Sequence, residues 1–413
     1  MAVDKTNKFI EDKDNGKSPN TRYGKIATGL GLATAAAFGA VWANSRAREV
    51  ERNGPPSMID WDKVRSIAER MNPETGATAE WRNKWTNYYS ELTLRVVPII
   101  EEYANTKLPR QLNTVRAVSR NEWVEANINS FRQLFEPIER LNRDSMGSSS
   151  AAMQALVGSF NQLLVSGEMG ILLGYLSRRV LGQYDLSLLG REPVSDGRVF
   201  FVEPNIGGVV NALNLNGDEF RLWIALHEST HAFEFESHTW VRRHFNGILE
   251  RYFSYLTEDL QNMRLNKQRL NNFMRRIRDN SQGSSWIERV MTPEQRTLFS
   301  ELQALMSIVE GYSNHVMNAV GEKLMPNYNT IKERIERRQK ERGIIDKLFI
   351  KLTGLDLKME QYRLGEIFVD KVVELKGIDF ANFMWDRPEY IPTLDEIKKP
   401  ELWVKRIEKA QAA

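Results

Sequence analysis

The sequence predicts a mainly α-helical protein with a small β-sheet, the α+β class. After residue 58, apolar residues recur at three- and four-residue spacing through most of the chain, with charged residues between them. One short segment, RVFFV at residues 198–202, is rich in β-formers and lies between turn signals. The chain has 413 residues, of which 41% are hydrophobic, so it can bury the core of one large domain or two small ones.

The composition excludes several kinds of site. Without cysteine, the chain has no disulfide, no cysteine-ligated zinc or iron–sulfur cluster and no thiol nucleophile. A net charge of +3 over this length is too small to indicate nucleic acid as the main partner. The five histidines all lie in one stretch, at His227, His231, His238, His244 and His315. A metal site in this chain must therefore combine histidine with carboxylate.

Periodicity predicts the order of the helices. They are expected at residues 62–71, 81–107, 123–141, 218–236, 240–279, 293–320 and 331–351. The basic runs at 264–278 and 332–342 resemble nucleic-acid-binding segments, but interleaved acids favour a solvated helix face. The apolar run at 151–181 has polar residues in its interior, which favours a pair of core helices over a membrane span.

The amino-terminal region is expected to be separate from the domain. Residues 1–25 are polar and predict a disordered tail, and residues 45–58, with the breaker cluster NGPPS, predict a linker to a domain at 59–413. Between them, residues 26–44 predict a hydrophobic helix, whose uncharged run 26–43 is rich in Ala and Gly. Packing on the protein or on itself is favoured for this helix, with a single-pass membrane anchor and a cleaved signal as alternatives. We expect a cytoplasmic protein, associated with a membrane only if residues 26–43 form the anchor.

The strongest chemical signal is H-E-x-x-H within FRLWIALHESTHAFEFE at residues 220–236. On a helix, His227 and His231 project from one face one turn apart, so both imidazoles can reach a single metal ion. Glu228 lies where its carboxylate can face a metal-bound water without being a ligand. The pattern predicts a zinc site with Glu228 as general base.

Two known ways of completing the metal site do not match the sequence. The metzincin pattern needs Gly and His at the positions of Glu234 and Ser237, and His238 falls one residue late. A ferritin-like di-iron site could use Glu228 and His231, but it needs a second E-x-x-H segment, which the sequence lacks. A carboxylate from a later helix is the remaining choice.

Glu310 is the best candidate for that carboxylate. It is a lone acid in the apolar helical stretch 305–320, where burial of its charge would be costly without a cation. The alternative is that Glu310 pairs with an arginine of the basic helices. Glu301 and Glu322 are weaker candidates, because their neighbourhoods look solvent-facing.

Six segments extend the argument beyond this one motif. They are RNEWVEANI (120–128), VLGQYD (180–185), VEPNI (202–206), FRLWIALHESTHAFEF (220–235), VEGYSNHVMNAVG (309–321) and KMEQYRLGEIFV (358–369). With them the chain resembles the zincin-like family of bacterial zinc-dependent metalloproteases, some of whose members are labelled as associated with biosynthesis of a deazaflavin coenzyme. The resemblance runs from about residue 60 to the end and does not include the amino-terminal hydrophobic run.

The resemblance implies a zincin-like metallopeptidase fold with an HExxH active-site helix. It also implies Zn²⁺ held by His227, His231 and Glu310, with Glu228 as base. At the position of Tyr312 the family often has histidine.

Together these observations predict a zinc-dependent metallopeptidase that hydrolyses peptide bonds of a peptide or protein substrate. A zinc-activated water would attack the carbonyl, and Glu228 would pass its proton to the leaving amine. Strand 198–202 is expected to be an edge that aligns an extended peptide. Tyr312 and His315 are candidates to hydrogen-bond the developing oxyanion, although His315 fits a core or supporting role equally well.

Two alternatives stay open. The first is a catalytically silent zinc-binding domain that acts as an interaction or structural protein. The second is a hydrolase of a small non-peptide amide. The sequence does not predict an oligomeric state.

Overall fold

The computed structural model of the chain describes residues 57–73, 77–108, 114–146, 151–184, 198–265, 291–340 and 355–412, together with residues 48, 50 and 52. The chain divides into two units, one of residues 1–56 with 146–161 and one of residues 57–145 with 162–413. In the first unit, residues 151–161 are the beginning of a helix. The tail and hydrophobic helix expected at residues 1–44 lie outside the described residues.

The described residues are mainly helical with one small sheet, which confirms the predicted fold class. The strands are β1 (Thr114–Val118), β2 (Gly182–Tyr184) and β3 (Arg198–Val202). The helices are α1 (Trp61–Met71), α2 (Ala79–Ala104), α3 (Arg120–Met146), α4 (Ala151–Ser177), α5 (Glu203–Leu213), α6 (Gly217–Glu236), α7 (Thr239–Leu265), α8 (Pro293–Leu324), α9 (Tyr328–Lys340), α10 (Leu355–Lys376), α11 (Ile378–Ala381), α12 (Leu394–Lys398) and α13 (Pro400–Gln411). Short 3₁₀ segments at Asn382–Trp385 and Pro388–Tyr390 lie between α11 and α12.

The sheet corrects one expectation. Its strand order is β1-β3-β2, with β1 parallel and β2 antiparallel to β3, so β3 is the central strand and not the predicted edge. The reason lies in the sequence of β3: after Arg198 all of its residues are apolar and buried, which is typical of a strand covered on both faces. Among the described strands, β2 is the edge on the side of β3 away from β1.

Strand β3 separates two hydrophobic clusters. Val199 and Phe201 face one cluster, in which Tyr89 of α2 stacks on Phe201 with ring centroids 4.0 Å apart. Phe200 and Val202 face the other, which is built by α1, α3 and α4. Because side chains alternate along a strand, this central strand serves both cores. The first cluster also contains the buried faces of α6, α8 and α10.

The apolar run at 151–181 forms one helix, α4, and not the expected pair. The helix ends at Ser177, and β2 begins five residues later at Gly182. Within the described part of the chain, none of the helices combines the length and hydrophobicity that crossing a bilayer requires.

Helices α8 and α10 cross at two glycines. A Cβ on Gly365 would lie 1.8 Å from the carbonyl oxygen of Ser307, and a Cβ on Gly311 would lie 2.3 Å from the carbonyl carbon of Gly365. Only glycine permits this backbone approach. Since Gly311 follows Glu310 directly, the crossing also sets the position of that carboxylate.

Replacing Gly365 by alanine tests the crossing. We expect Gly365→Ala to lower the free energy of unfolding by at least about 1–3 kcal/mol, because neither backbone can move away without repacking the core. Thermal unfolding measures the effect. Gly247→Ala in α7 is the matched control, since its Cβ meets nothing within 4 Å and alanine favours a helix. Equal melting temperatures for Gly365→Ala and the wild type would contradict the crossing.

Candidate metal centre

Helix α6 positions the two histidines of the motif. The Asn216 side chain caps the helix by accepting hydrogen bonds from the backbone amides of Asp218 and Glu219, and both acids favour a helix start. The helix continues unbroken to Glu236, as predicted, so His227 and His231 lie on one face. Their Nε2 atoms are 3.3 Å apart, with the rings nearly perpendicular.

Glu310 reaches the same point from α8. Its Oε2 lies 3.9 Å from Nε2 of His227 and 3.9 Å from Nε2 of His231. Among the described residues, these histidines are its ion-pair partners, and the alternative pairing with an arginine is not formed. The structure therefore brings together the three residues predicted as ligands.

The donor atoms fit a zinc ion in type and spacing. Bonds of about 2.0–2.2 Å in a tetrahedral site place neighbouring ligand atoms about 3.3 Å apart. The observed separations of 3.3 and 3.9 Å need only a small closing movement of Glu310, whose side chain is 25% exposed. Two imidazoles and one carboxylate are also a ligand set that zinc uses in catalytic sites.

Glu228 and strand β2 complete a small cavity beside these ligands. The cavity has a volume of about 230 Å³ and is lined by Gly182, Gln183, His227, Glu228, His231, Phe235, Met306, Val309 and Glu310. Glu228 is only 6% exposed, and a Cβ on Gly182 would lie 2.5 Å from its Oε1. Thus β2 holds the predicted base at close range, and none of the lining residues is a lysine or arginine.

The two imidazoles differ electrostatically. Burial and the neighbouring charge of His231 hold the pKa of His227 well below its usual value, so this ring is neutral and free to ligate. Burial alone would lower the pKa of His231, but the charge of Glu234 and its hydrogen bond raise it. A metal ion that binds Nε2 of His231 must displace the proton on that nitrogen, while Nδ1 keeps the hydrogen that it donates to Glu234.

Tyr312 and His315 lie away from the cavity. Tyr312 is fully buried, packs between Phe233 and Trp385, and donates a hydrogen bond to Asn382 at 2.9 Å. Since each helical residue turns by about 100°, Tyr312 points to the side of α8 opposite Glu310. This geometry does not support the oxyanion role predicted for Tyr312.

His315 likewise belongs to a separate hydrogen-bonded group. Its Nδ1 lies 2.6 Å from Oδ1 of Asp370 in α10, and its Nε2 lies 2.7 Å from the hydroxyl of Tyr103 at the end of α2. The ring thus links three helices and does not line the cavity. The geometry favours the core role over the oxyanion role.

Three side chains beside the predicted ligands are not predicted from the sequence. Glu234, which is fully buried, lies 2.9 Å from Nδ1 of His231, and Ser313 Oγ lies 3.1 Å from the same nitrogen. Met317 places its sulfur 3.1 Å from Nδ1 of His227. One signal was available: Glu234 interrupts an apolar run between two phenylalanines, where an acid needs a partner.

Comparisons with known proteins agree with this geometry. The sequence profile of the zincin-like metallopeptidases matches residues 59–404. A crystal structure of a proposed hydrolase with a novel fold from Chloroflexus aurantiacus is similar, with a TM-score of 0.62 and 39% identity. The alignment covers 85% of this chain and 99% of that one. A search of curated proteins finds no match.

Removing the Glu310 carboxylate tests the ligand set. We expect Glu310→Gln to weaken zinc binding by more than about 100-fold, exceeding the loss that an outer partner of a ligand causes. Mass-spectrometric metal analysis after dialysis against a chelator measures it. Glu301→Gln is the matched control, because Glu301 lies on the same helix and pairs with Arg251. Unchanged zinc content in Glu310→Gln would exclude Glu310 as a ligand.

Proposed function

We propose that this chain, which belongs to the zincin-like metallopeptidase family, is a zinc-dependent hydrolase of peptide bonds. The observation that carries the proposal is the meeting of His227, His231, Glu310 and Glu228 in one cavity. Zinc is the metal that the family implies, and the donor atoms fit it. The hydrolase description of the Chloroflexus aurantiacus protein agrees with this proposal.

In this proposal each residue has a separate role. His227, His231 and Glu310 would hold the zinc ion, which when bound would supply polarisation of the scissile carbonyl and a lowered pKa for a water molecule. Glu228 accepts the proton of the attacking water and delivers it to the leaving amine. The low exposure of Glu228 supports this role, because proton transfer is most effective where competing solvent is excluded.

The substrate class is supported by strand β2. Gly182 and Gln183 line the cavity, and β2 is the sheet edge nearest to Glu228 among the described strands. An extended peptide can add to such an edge through backbone hydrogen bonds, which places its carbonyl beside the metal ligands. The predicted peptide-aligning edge is therefore reassigned from β3 to β2.

The substitution Glu228→Gln separates catalysis from metal binding. We expect the variant to keep its zinc but to lose about 10²–10⁴-fold in the rate of peptide cleavage, because glutamine cannot accept the proton. Mass-spectrometric profiling of a peptide library with the zinc-loaded chain measures this. Wild-type protein that holds zinc yet cleaves no peptide would favour the catalytically silent zinc-binding domain.

Gly182→Ala tests whether β2 holds the base in position. A methyl group there must displace the Glu228 carboxylate, so we expect kcat to fall by up to about 100-fold while zinc affinity is unchanged. Gly208→Ala in α5 is the control, since its Cβ would meet nothing within 4 Å. A Gly182→Ala enzyme with normal kcat would contradict this contact.

A further inference from the structure

We propose that Glu234 is a positioning residue that holds His231 in the orientation required for metal binding, an inference that rests on the proposed zinc site. Glu234 lies one turn after His231 on α6 and has no exposed surface. Its Oε2 is 2.9 Å from Nδ1 of His231, on the side of the ring opposite the Nε2 that faces His227 and Glu310. The carboxylate thus contacts the ligand ring without entering the ligand group.

The contact fixes which nitrogen of His231 carries hydrogen. A carboxylate only accepts hydrogen bonds, so Nδ1 must donate to Glu234, and the lone pair of Nε2 is left for a cation. Hydrogen bonding to a carboxylate also makes an imidazole a stronger ligand and restricts its rotation. Glu234 therefore determines both the orientation and the donor strength of His231.

Helix α8 supports the same contact from the other side. Ser313 Oγ lies 3.1 Å from Nδ1 of His231 and 3.4 Å from Oε1 of Glu234. Ser313 is one turn from Glu310 on that helix. The same turn of α8 therefore supplies the proposed ligand Glu310 and the Ser313 hydroxyl that supports His231. The metal site and its support form a single unit between α6 and α8.

Burial of Glu234 requires a compensating positive charge on or beyond the His231 ring. Among the described residues no lysine or arginine forms an ion pair with it, and its ion-pair partner is His231. An isolated buried carboxylate is costly. A divalent cation on Nε2 of His231 would supply the compensating charge through the ring, which is the arrangement that metal-binding histidines show in general.

In the described part of the chain, no carboxylate supports the second ligand, His227, in this way. Nδ1 of His227 faces the sulfur of Met317 at 3.1 Å, and a thioether is only a weak acceptor. The two rings therefore differ, and His231 should be the more firmly held ligand. A substitution behind His231 is expected to cost more zinc affinity than Met317→Leu behind His227.

The test compares zinc dissociation constants of the full chain, measured by competition with a chromophoric chelator. We expect Glu234→Gln, which keeps shape but removes charge, to weaken zinc binding by about 10–100-fold. The visible spectrum of the Co²⁺-substituted protein should also change, because it reports ligand geometry. Glu236→Gln is the matched control: it lies on the same helix and pairs with Arg242, so its affinity should equal that of the wild type.

The outcomes separate this inference from the proposed function. A Glu234→Gln protein with wild-type zinc affinity and an unchanged Co²⁺ spectrum overturns the positioning role while leaving the zinc site intact. Failure of the wild type to bind zinc overturns the proposed function instead. If Glu234→Gln does not fold, Ser313→Ala is the deciding variant. Loss of its one hydrogen bond should weaken zinc binding by about 2–10-fold. Unchanged zinc affinity in Ser313→Ala would contradict the positioning role.

Discussion

The charge balance around His227 and His231 is the constraint on which the rest of the site depends. Three carboxylates, those of Glu228, Glu234 and Glu310, lie in or directly behind a cavity whose lining residues include no lysine or arginine. Carboxylates that lie close together repel one another, and burial costs each of them part of its hydration. A divalent cation between the imidazoles and Glu310 would offset the repulsion and the lost hydration. The charge distribution therefore favours a metal site.

The scaffold keeps these groups together through close backbone contacts. The glycines at the α8–α10 crossing fix how closely α8, which carries Glu310, approaches α10. Gly182 of β2 lies against Glu228. Strand β3 supports both arrangements indirectly, because its alternate side chains fill the clusters on each side of the sheet. Three glycines therefore help to determine where the side chains of Glu228 and Glu310 lie, which agrees with the close packing of protein interiors.

The sequence predicts part of the fold and part of the candidate site. The helix bearing H-E-x-x-H and the approach of Glu310 to its histidines could be predicted, because the first depends on local spacing and the second on the cost of burying part of a lone charge. Tyr312 and His315 lie close to Glu310 in sequence, but helical rotation carries both side chains away from it. The central place of β3, and the contacts of Gly182 and Glu234, depend on long-range packing that a local pattern does not contain.

X-ray absorption at the zinc edge of the zinc-loaded chain is the most direct test of the proposed zinc site. A site built from two histidines and a glutamate predicts a shell of nitrogen and oxygen atoms at about 2.0–2.1 Å, with the outer-shell signal of two imidazole rings and a total coordination of about four to five. A zinc ion surrounded only by oxygen atoms, or by a single imidazole, would contradict a site built from His227, His231 and Glu310.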